Sequence, residues 1–160
     1  MGLIKHPLNF DLESSEEIKS AYSIAQKLID NGHQAVLAGG AVRDLLLGRK
    51  PKDFDIATSA EPTEVLKLFK KTQKVGIHFG VVLVRDYAIT TEIATFRKDG
   101  QYNDGRRPDK VTFTDAANDA MRRDFSINGM FYDFKEKCVL DYVGGLNDLK
   151  ENSIKAIRDP

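Results

Sequence analysis

The sequence predicts an α+β domain: a small mixed sheet with helices packed on one side. Three observations lead there. A single long helical stripe opens the chain. Short apolar runs follow, cut by glycine pairs. A stretch of strict two-residue alternation lies in the middle. Ser14-Ser15-Glu16-Glu17 starts the helix, with Ser14 and Glu17 at the spacing of a capping box. Ile18, Tyr22, Ala25, Leu28 and Ile29 form its apolar stripe, and Asn31-Gly32 ends it. Gln34 to Leu37 reads as a strand, broken by Gly39-Gly40, and Ala41 to Leu47 as a short helix closed by Gly48. Lys52 to Ala57 reads as a second strand. Thr58 to Pro62 opens another helix whose buried side is Val65, Leu66, Leu68 and Phe69. Gly80 to Phe96 predicts a β-hairpin: Val81 to Val84 form one arm and Ile89 to Phe96 the other. In the second arm Ile89, Thr91 and Ile93 share one face, and Thr90, Glu92 and Ala94 the opposite one. Lys98 to Lys110 has almost nothing apolar and reads as a loop. Val111 to Phe113 predicts a brief strand, Asp115 to Arg123 a helix, Val139 to Tyr142 a late strand, and Leu146 to Leu149 a short helix after Gly144-Gly145.

The 160 residues suffice for one domain with a real core, and 41% hydrophobic with 30% charged residues is the balance of a folded chain. No apolar run approaches the roughly 20 residues of a membrane helix, so no membrane is expected. Met1 to Phe10 lacks the apolar core of a secretory signal and reads as a short leader. Cys138 is the only cysteine, which excludes an internal disulfide and makes a reducing cytoplasm the expected compartment. The 24 Lys and Arg balance the 24 Asp and Glu, so nucleic-acid contact has to come from local clusters. Two exist: Lys67, Lys70, Lys71 and Lys74, then Arg97, Lys98, Arg106, Arg107 and Lys110. The ordinary reading of both is a solvated face. His6, His33 and His78 lack metal-ligand spacing.

Four groups of residues carry chemistry. In a strand, Asp53 and Asp55 project to one side while Phe54 turns to the other. Two carboxylates that close repel unless a cation lies between them, and oxygen donors suit Mg2+. The plain alternative is a solvated pair on a strand edge. Glu92, on a strand of its own, either pairs with a cross-strand cation or completes a two-metal cage of the kind that clamps the attacking and leaving oxygens of an in-line displacement. Gly39-Gly40, between strand and helix, lets the backbone approach a phosphate, with Arg43 one turn on to add charge-assisted bonds. Otherwise it is a tight turn with Arg43 and Asp44 paired. Arg122-Arg123-Asp124, followed by Asn128, offers guanidinium forks to phosphate and an acceptor to a ribose hydroxyl. Otherwise it is a helix end whose arginines suit the dipole.

The segments GGAVRD, DFDIAT, EIATFR, RRDFSIN and DYVGG, in that order, resemble the head domain of class II tRNA nucleotidyltransferases and bacterial poly(A) polymerases. The resemblance runs from about Ala35 to the end. It implies a DNA polymerase β-like nucleotidyltransferase fold occupying 34–160 behind an N-terminal leader and helix in 1–33. It implies that Asp53 and Asp55 bind Mg2+, that Glu92 is the third catalytic carboxylate, and that Gly39, Gly40 and Arg43 meet the phosphates of the incoming nucleotide. Arg123 would touch the triphosphate, with Asp124 and Asn128 near the ribose. The implied reaction is template-independent transfer from CTP and ATP to an RNA 3′ end, most simply CCA addition to tRNA. An A-adding enzyme or poly(A) polymerase is the close alternative, and a non-catalytic nucleotide- or RNA-binding module the alternative of another class. The Lys98–Lys110 loop resembles the family's flexible loop, linked to switching from CTP to ATP. Where many members read T-I-N-A-M, this chain has Ser126-Ile127-Asn128-Gly129-Met130. Members also continue into neck, body and tail regions, so the chain reads as the head part of a longer protein.

Overall fold

The computed structural model describes residues 2–99 and 111–158. In chain order the elements are β1 (Ile4–Pro7), α1 (Glu16–Asp30), β2 (Ala35–Ala38), α2 (Gly40–Leu46), β3 (Asp55–Thr58), α3 (Pro62–Leu68), β4 (Thr72–Gly76), β5 (Val81–Val84), β6 (Thr91–Thr95), β7 (Arg97–Asp99), β8 (Val111–Phe113), α4 (Ala116–Met121), β9 (Phe131–Asp133), β10 (Cys138–Asp141) and α5 (Gly145–Lys150). Eight strands make one mixed sheet in the order β1-β10-β9-β2-β3-β6-β5-β4, and β7 and β8 pair separately. The mixed sheet with helices against it is the architecture expected, but it is wider than the sequence suggested.

The first face of the sheet is filled by Leu37, Ile56, Val82, Val84 and Ile93, against Ile24, Leu28 and Val65 of α1 and α3. The 3.6-residue stripe of α1 thus meets the two-residue alternation of the strands. The second face buries Val36, Ala57, Phe96 and Phe131 against Ala116 and Ala120 of α4, so helices are not confined to one side. Phe54 and Ile56 enter the first cluster and Ala57 the second, which puts Asp55 on the second face.

Several boundaries differ from expectation. The α1 cap is Ser15, not Ser14: it has extended backbone geometry, and its Oγ accepts from the Ile18 amide at 3.1 Å. The second strand starts at Asp55 rather than Lys52, leaving Asp53 just ahead of it. Ile4–Pro7, within the expected leader, pairs antiparallel with β10. Its side chains are all exposed, so no burial pattern marked it. Thr72–Gly76 is an edge strand whose three central residues are exposed, so it too left no apolar signature. Lys98 and Asp99 lie in a ribbon, Arg97 opposite Phe113, rather than a loop. The remainder of that expected loop, with Arg106, Arg107 and Lys110, lies outside the described residues, as do Asp159 and Pro160. Near the chain's end, the Asp141 carboxylate accepts from the amides of Val143, Gly144, Gly145 and Leu146 at 2.9–3.1 Å, fixing the turn into α5.

Candidate active site

The site forms where β3 and β6 run parallel. Their register pairs Ile56 with Ile93, so one residue back Asp55 and Glu92 stand side by side. Strand neighbours at that spacing share a face, roughly 5 Å apart. Asp53 precedes Asp55 by two residues, and both Glu92 and Asp53 act electrostatically on Asp55. Asp55 and Glu92 therefore stand side by side, with Asp53 near enough to act on Asp55 but placed in the loop ahead of the strand rather than in it. Asp53 and Glu92 are exposed and Asp55 half-buried.

The consequence appears at Asp55. Its carboxyl is pushed up from 3.8 to about 6, first by burial, then by the charges of Glu92 and Asp53, while Arg123 pulls the other way. A cation among these oxygens relieves that repulsion, so the donors fit a hard dication that keeps phosphate or water as further ligands. Among the described residues no group of three His, Cys, Asp or Glu side chains is gathered closely enough to hold a metal ion, so such a cation would rest on the Asp55–Glu92 neighbourhood and its own phosphate or water ligands.

The raised pKa also carries a stability cost. The folded carboxyl holds its proton more tightly than the unfolded one. Stability therefore falls as pH rises from about 4 to about 6, and the loss persists at neutral pH. Two pH units correspond to at most about 3 kcal/mol. Asp55→Asn is expected to raise the melting temperature by roughly 3–8 °C at neutral pH in chelator, and to change it little near pH 4. Differential scanning fluorimetry at both pH values checks this; an equal effect at both would remove the electrostatic cause.

The glycine pair sits at the exit of β2. Gly39 has φ 74° and ψ −148°, a conformation essentially reserved for glycine. A side chain at Gly40 would press to 3.1 Å from Arg43 Nη2. The turn therefore presents bare backbone. Arg43 donates through Nε and Nη2 to Asp44 Oδ1, both at 3.1 Å, and through Nη1 to Asn128 Oδ1 at 2.7 Å. The Arg43–Asp44 pair of the plain alternative is thus present, but the guanidinium also ties the glycine turn to the Ser126–Asn128 segment. Asp124 Oδ1 accepts from the Phe125 amide at 2.6 Å and Asn128 Nδ2 at 3.5 Å. Arg123 lies over the Phe131 ring, 5.2 Å from its centroid.

These residues line two adjoining hollows. One, of about 430 Å³, is bounded by Gly40, Ala41, Arg43, Asp44, Arg49, Lys50, Lys52, Asp53 and Asp55. The other, of about 410 Å³, is bounded by Gly39, Gly40, Arg43, Arg122, Arg123, Asp124 and Asn128. Gly40 and Arg43 belong to both, so an elongated anion lying along them would span from the carboxylates to the arginine pair. Glu92 lines neither hollow and stands on the next strand, beside Asp55.

Sequence reasoning missed two features. Arg49, Lys50 and Lys52 make one wall of the first hollow, and the only signal was a basic run ahead of Asp53. Asp119 was not singled out, yet it organises the arginines. Only 1% exposed, its Oδ2 accepts from Arg123 Nε and Nη2 at 3.2 and 2.9 Å. Its Oδ1 accepts from Arg122 Nε at 3.2 Å and from the Arg97 amide at 2.9 Å. Such charge-assisted, buried bonds hold both arginines in one orientation.

Comparison with known proteins gives the family and the fold. The family model described as the poly(A) polymerase head domain matches residues 35–155. The CCA-adding enzyme of Anoxybacillus flavithermus is 44% identical over 148 residues, 91% of this chain and 37% of that enzyme. The CCA-adding enzyme of Levilactobacillus brevis is 43% identical over 146 residues, again 91% of this chain and 36% of the other. The crystal structure of the Bacillus stearothermophilus CCA-adding enzyme in complex with CTP superposes with a TM-score of 0.79 at 37% identity, covering 89% of this chain and 34% of that one. The Thermotoga maritima CCA-adding enzyme complexed with tRNA gives 0.68 at 25% identity, covering 88% and 32%. The chain thus spans about a third of the length of the proteins it matches. With the glycine turn, the carboxylate pair and the arginine pair placed in one sheet-end site, and the match running from the second strand to the tail, the chain belongs to the poly(A) polymerase head-domain family.

Proposed function

We propose that this chain is the catalytic head of a metal-dependent nucleotidyltransferase that moves nucleotides from CTP and ATP to an RNA 3′ end, adding CCA to tRNA. The observation that carries the reading is the parallel register of β3 and β6, which brings Glu92 beside Asp55; the antiparallel pairing of β2 with β3 leaves Asp53 lining the same hollow as Gly40. The CCA-adding relatives favour tRNA as acceptor. The family's poly(A) polymerase description leaves A addition as the second reading. The free, buried thiol of Cys138 suits the reducing cytoplasm, the compartment we assign.

In this reading the chain's own groups divide the work. The bare backbone of Gly39-Gly40 and the Arg43 guanidinium receive the phosphates. Arg123, held by Asp119 and stacked on Phe131, adds a fixed positive charge beside Asp55. Asp124 and Asn128 stand where they can accept from and donate to ribose hydroxyls. Asp53 and Asp55 are the donors for Mg2+, and Glu92 is the third carboxylate facing the acceptor's hydroxyl. When bound, divalent cations promote ionisation of that hydroxyl and neutralise the departing pyrophosphate.

The test is to incubate the whole protein with tRNA lacking its 3′ end and with each labelled nucleoside triphosphate in turn. Incorporation of C and then A supports CCA addition, and A alone supports the second reading. No incorporation of any nucleotide refutes both.

A further inference from the structure

Among the described residues, the Leu83 side of β5 and β4 is left uncovered and continues the site to the edge of the sheet. Residues directly opposite in neighbouring strands share a face. Asp55 lies beside Glu92, Glu92 is opposite Leu83, and Leu83 is opposite Gln73. This row crosses from the carboxylates to the last strand, with Gln73 two strand spacings, roughly 10 Å, beyond Glu92. Two residues after Leu83, Arg85 is on the same side: its Nη2 donates to Gln73 Oε1 at 2.5 Å. The Arg85 amide donates to the Lys71 carbonyl at 2.8 Å, so Lys71 stands opposite and shares the face.

The two sides of these strands differ sharply. Val82 and Val84 are fully buried in the core against α3. Leu83 and Val81 are half-exposed and join neither buried cluster. Gln73, Arg85 and Lys71 are exposed. Asp86, next in the chain to Arg85, accepts from the amides of Lys70 and Lys71 at 2.9 and 2.7 Å, and the guanidinium of Arg85 is held by the neutral Gln73 rather than by an acid. Lysines on an edge strand also guard it against pairing with another chain. That role suits Lys74, which is in register with Val82 and so stands on the opposite face; it does not account for Arg85, which follows β5, one strand in from the edge.

This surface lies on the far side of Glu92 from the glycine turn. Resting on the proposed transfer reaction, with the nucleotide at Gly39-Gly40 and Arg43, the acceptor must reach Glu92 from elsewhere. We propose that the terminal nucleotides of the acceptor RNA lie across β5 and β4, phosphates against Arg85 and Lys71, with Leu83 and Gln73 beneath the sugars and bases. A cationic margin around a half-exposed apolar residue is the mixture single-stranded nucleic acid binds.

The test is steady-state nucleotide addition by the whole protein carrying Arg85→Ala with Lys71→Ala, and separately Arg85→Glu. The KM for RNA is expected to rise about tenfold and its dependence on log salt to become shallower by about 1.4, the effect of losing two single-strand phosphate contacts. The KM for the nucleoside triphosphate should stay near the wild-type value, as should both constants in a Lys19→Ala, Lys135→Ala control. An unchanged RNA KM and salt slope would overturn the proposal. Should the wild-type protein transfer nothing, the underlying reaction fails. Anisotropy of a fluorescent single-stranded RNA, bound by wild type and weakened in the double variant, still decides the face, and equal binding by both refutes it.

Discussion

Asp53→Ala or Asp55→Ala in the whole protein is expected to abolish nucleotide addition, by at least about a thousandfold, while the fold survives. The two halves of that expectation have separate causes. In the proposed reaction activity is lost because each substitution removes one set of acidic oxygens from beside the two hollows that the triphosphate would span. The other acid of the first hollow, Asp44, is tied to Arg43, and Arg49, Lys50 and Lys52 have the wrong sign. The fold survives because Asp53 is exposed ahead of β3, and because Asp55 is held in its charged form against burial and two like charges. Product length on a denaturing gel and a thermal melt of the same preparation check both halves. Turnover within tenfold of wild type in either variant would sink the carboxylate assignment. A large fall in melting temperature would instead show that the aspartates serve the fold.

Asp119→Ala is expected to have the opposite profile, with a large loss of stability. Removing one partner of a buried ionic cluster costs about 3–5 kcal/mol, since the charges left behind stay desolvated. Here Arg122 and Arg123, each 17% exposed in their side chains, and the Arg97 amide lose their acceptor together. For a domain of this size the melting temperature should fall by roughly 6–20 °C. At temperatures where the variant remains folded, the triphosphate should bind more weakly, because Arg123 is no longer aimed. Asp119→Asn, which keeps an acceptor but not the charge, should recover part of the stability. A melting temperature within about 2 °C of wild type for Asp119→Ala would show that the cluster is not structurally important.

The contrast between these aspartates shows what a linear reading sees. Asp55 and Glu92 were legible as strand residues because alternation is local, whereas the expected strand partnership of Asp53 with Asp55 did not hold: β3 begins only at Asp55. The fold class was legible for the same reason, from the α1 stripe and the β5–β6 alternation. Asp119 was hidden because its role depends on the amide of Arg97, 22 residues away, and on burial that no short window reports. β1 and β4 were hidden because they are edges, bonded through the backbone with outward side chains that carry no apolar period. Arg49, Lys50 and Lys52 were present in the sequence, but without a fold nothing distinguished them from a solvated run. The glycine turn was read correctly as a turn, and only the φ of Gly39 and the Arg43–Asn128 bond showed which segments it joins.

The pairing of Ile56 with Ile93 also constrains how the chain can vary. The stretch from Ser59 to Gly80 can change length at its exposed turns, because it only needs to return β5 to the sheet. The strands β5 and β6 themselves have no such freedom, although the exposed turn between them does. A single added residue within β5 or β6 would shift the side-chain phase by half a pleat, turning a carboxylate toward the helices and a β-branched aliphatic toward solvent. Insertions are thus tolerable in the turns on either side of β5, whereas parity must be kept within the strands.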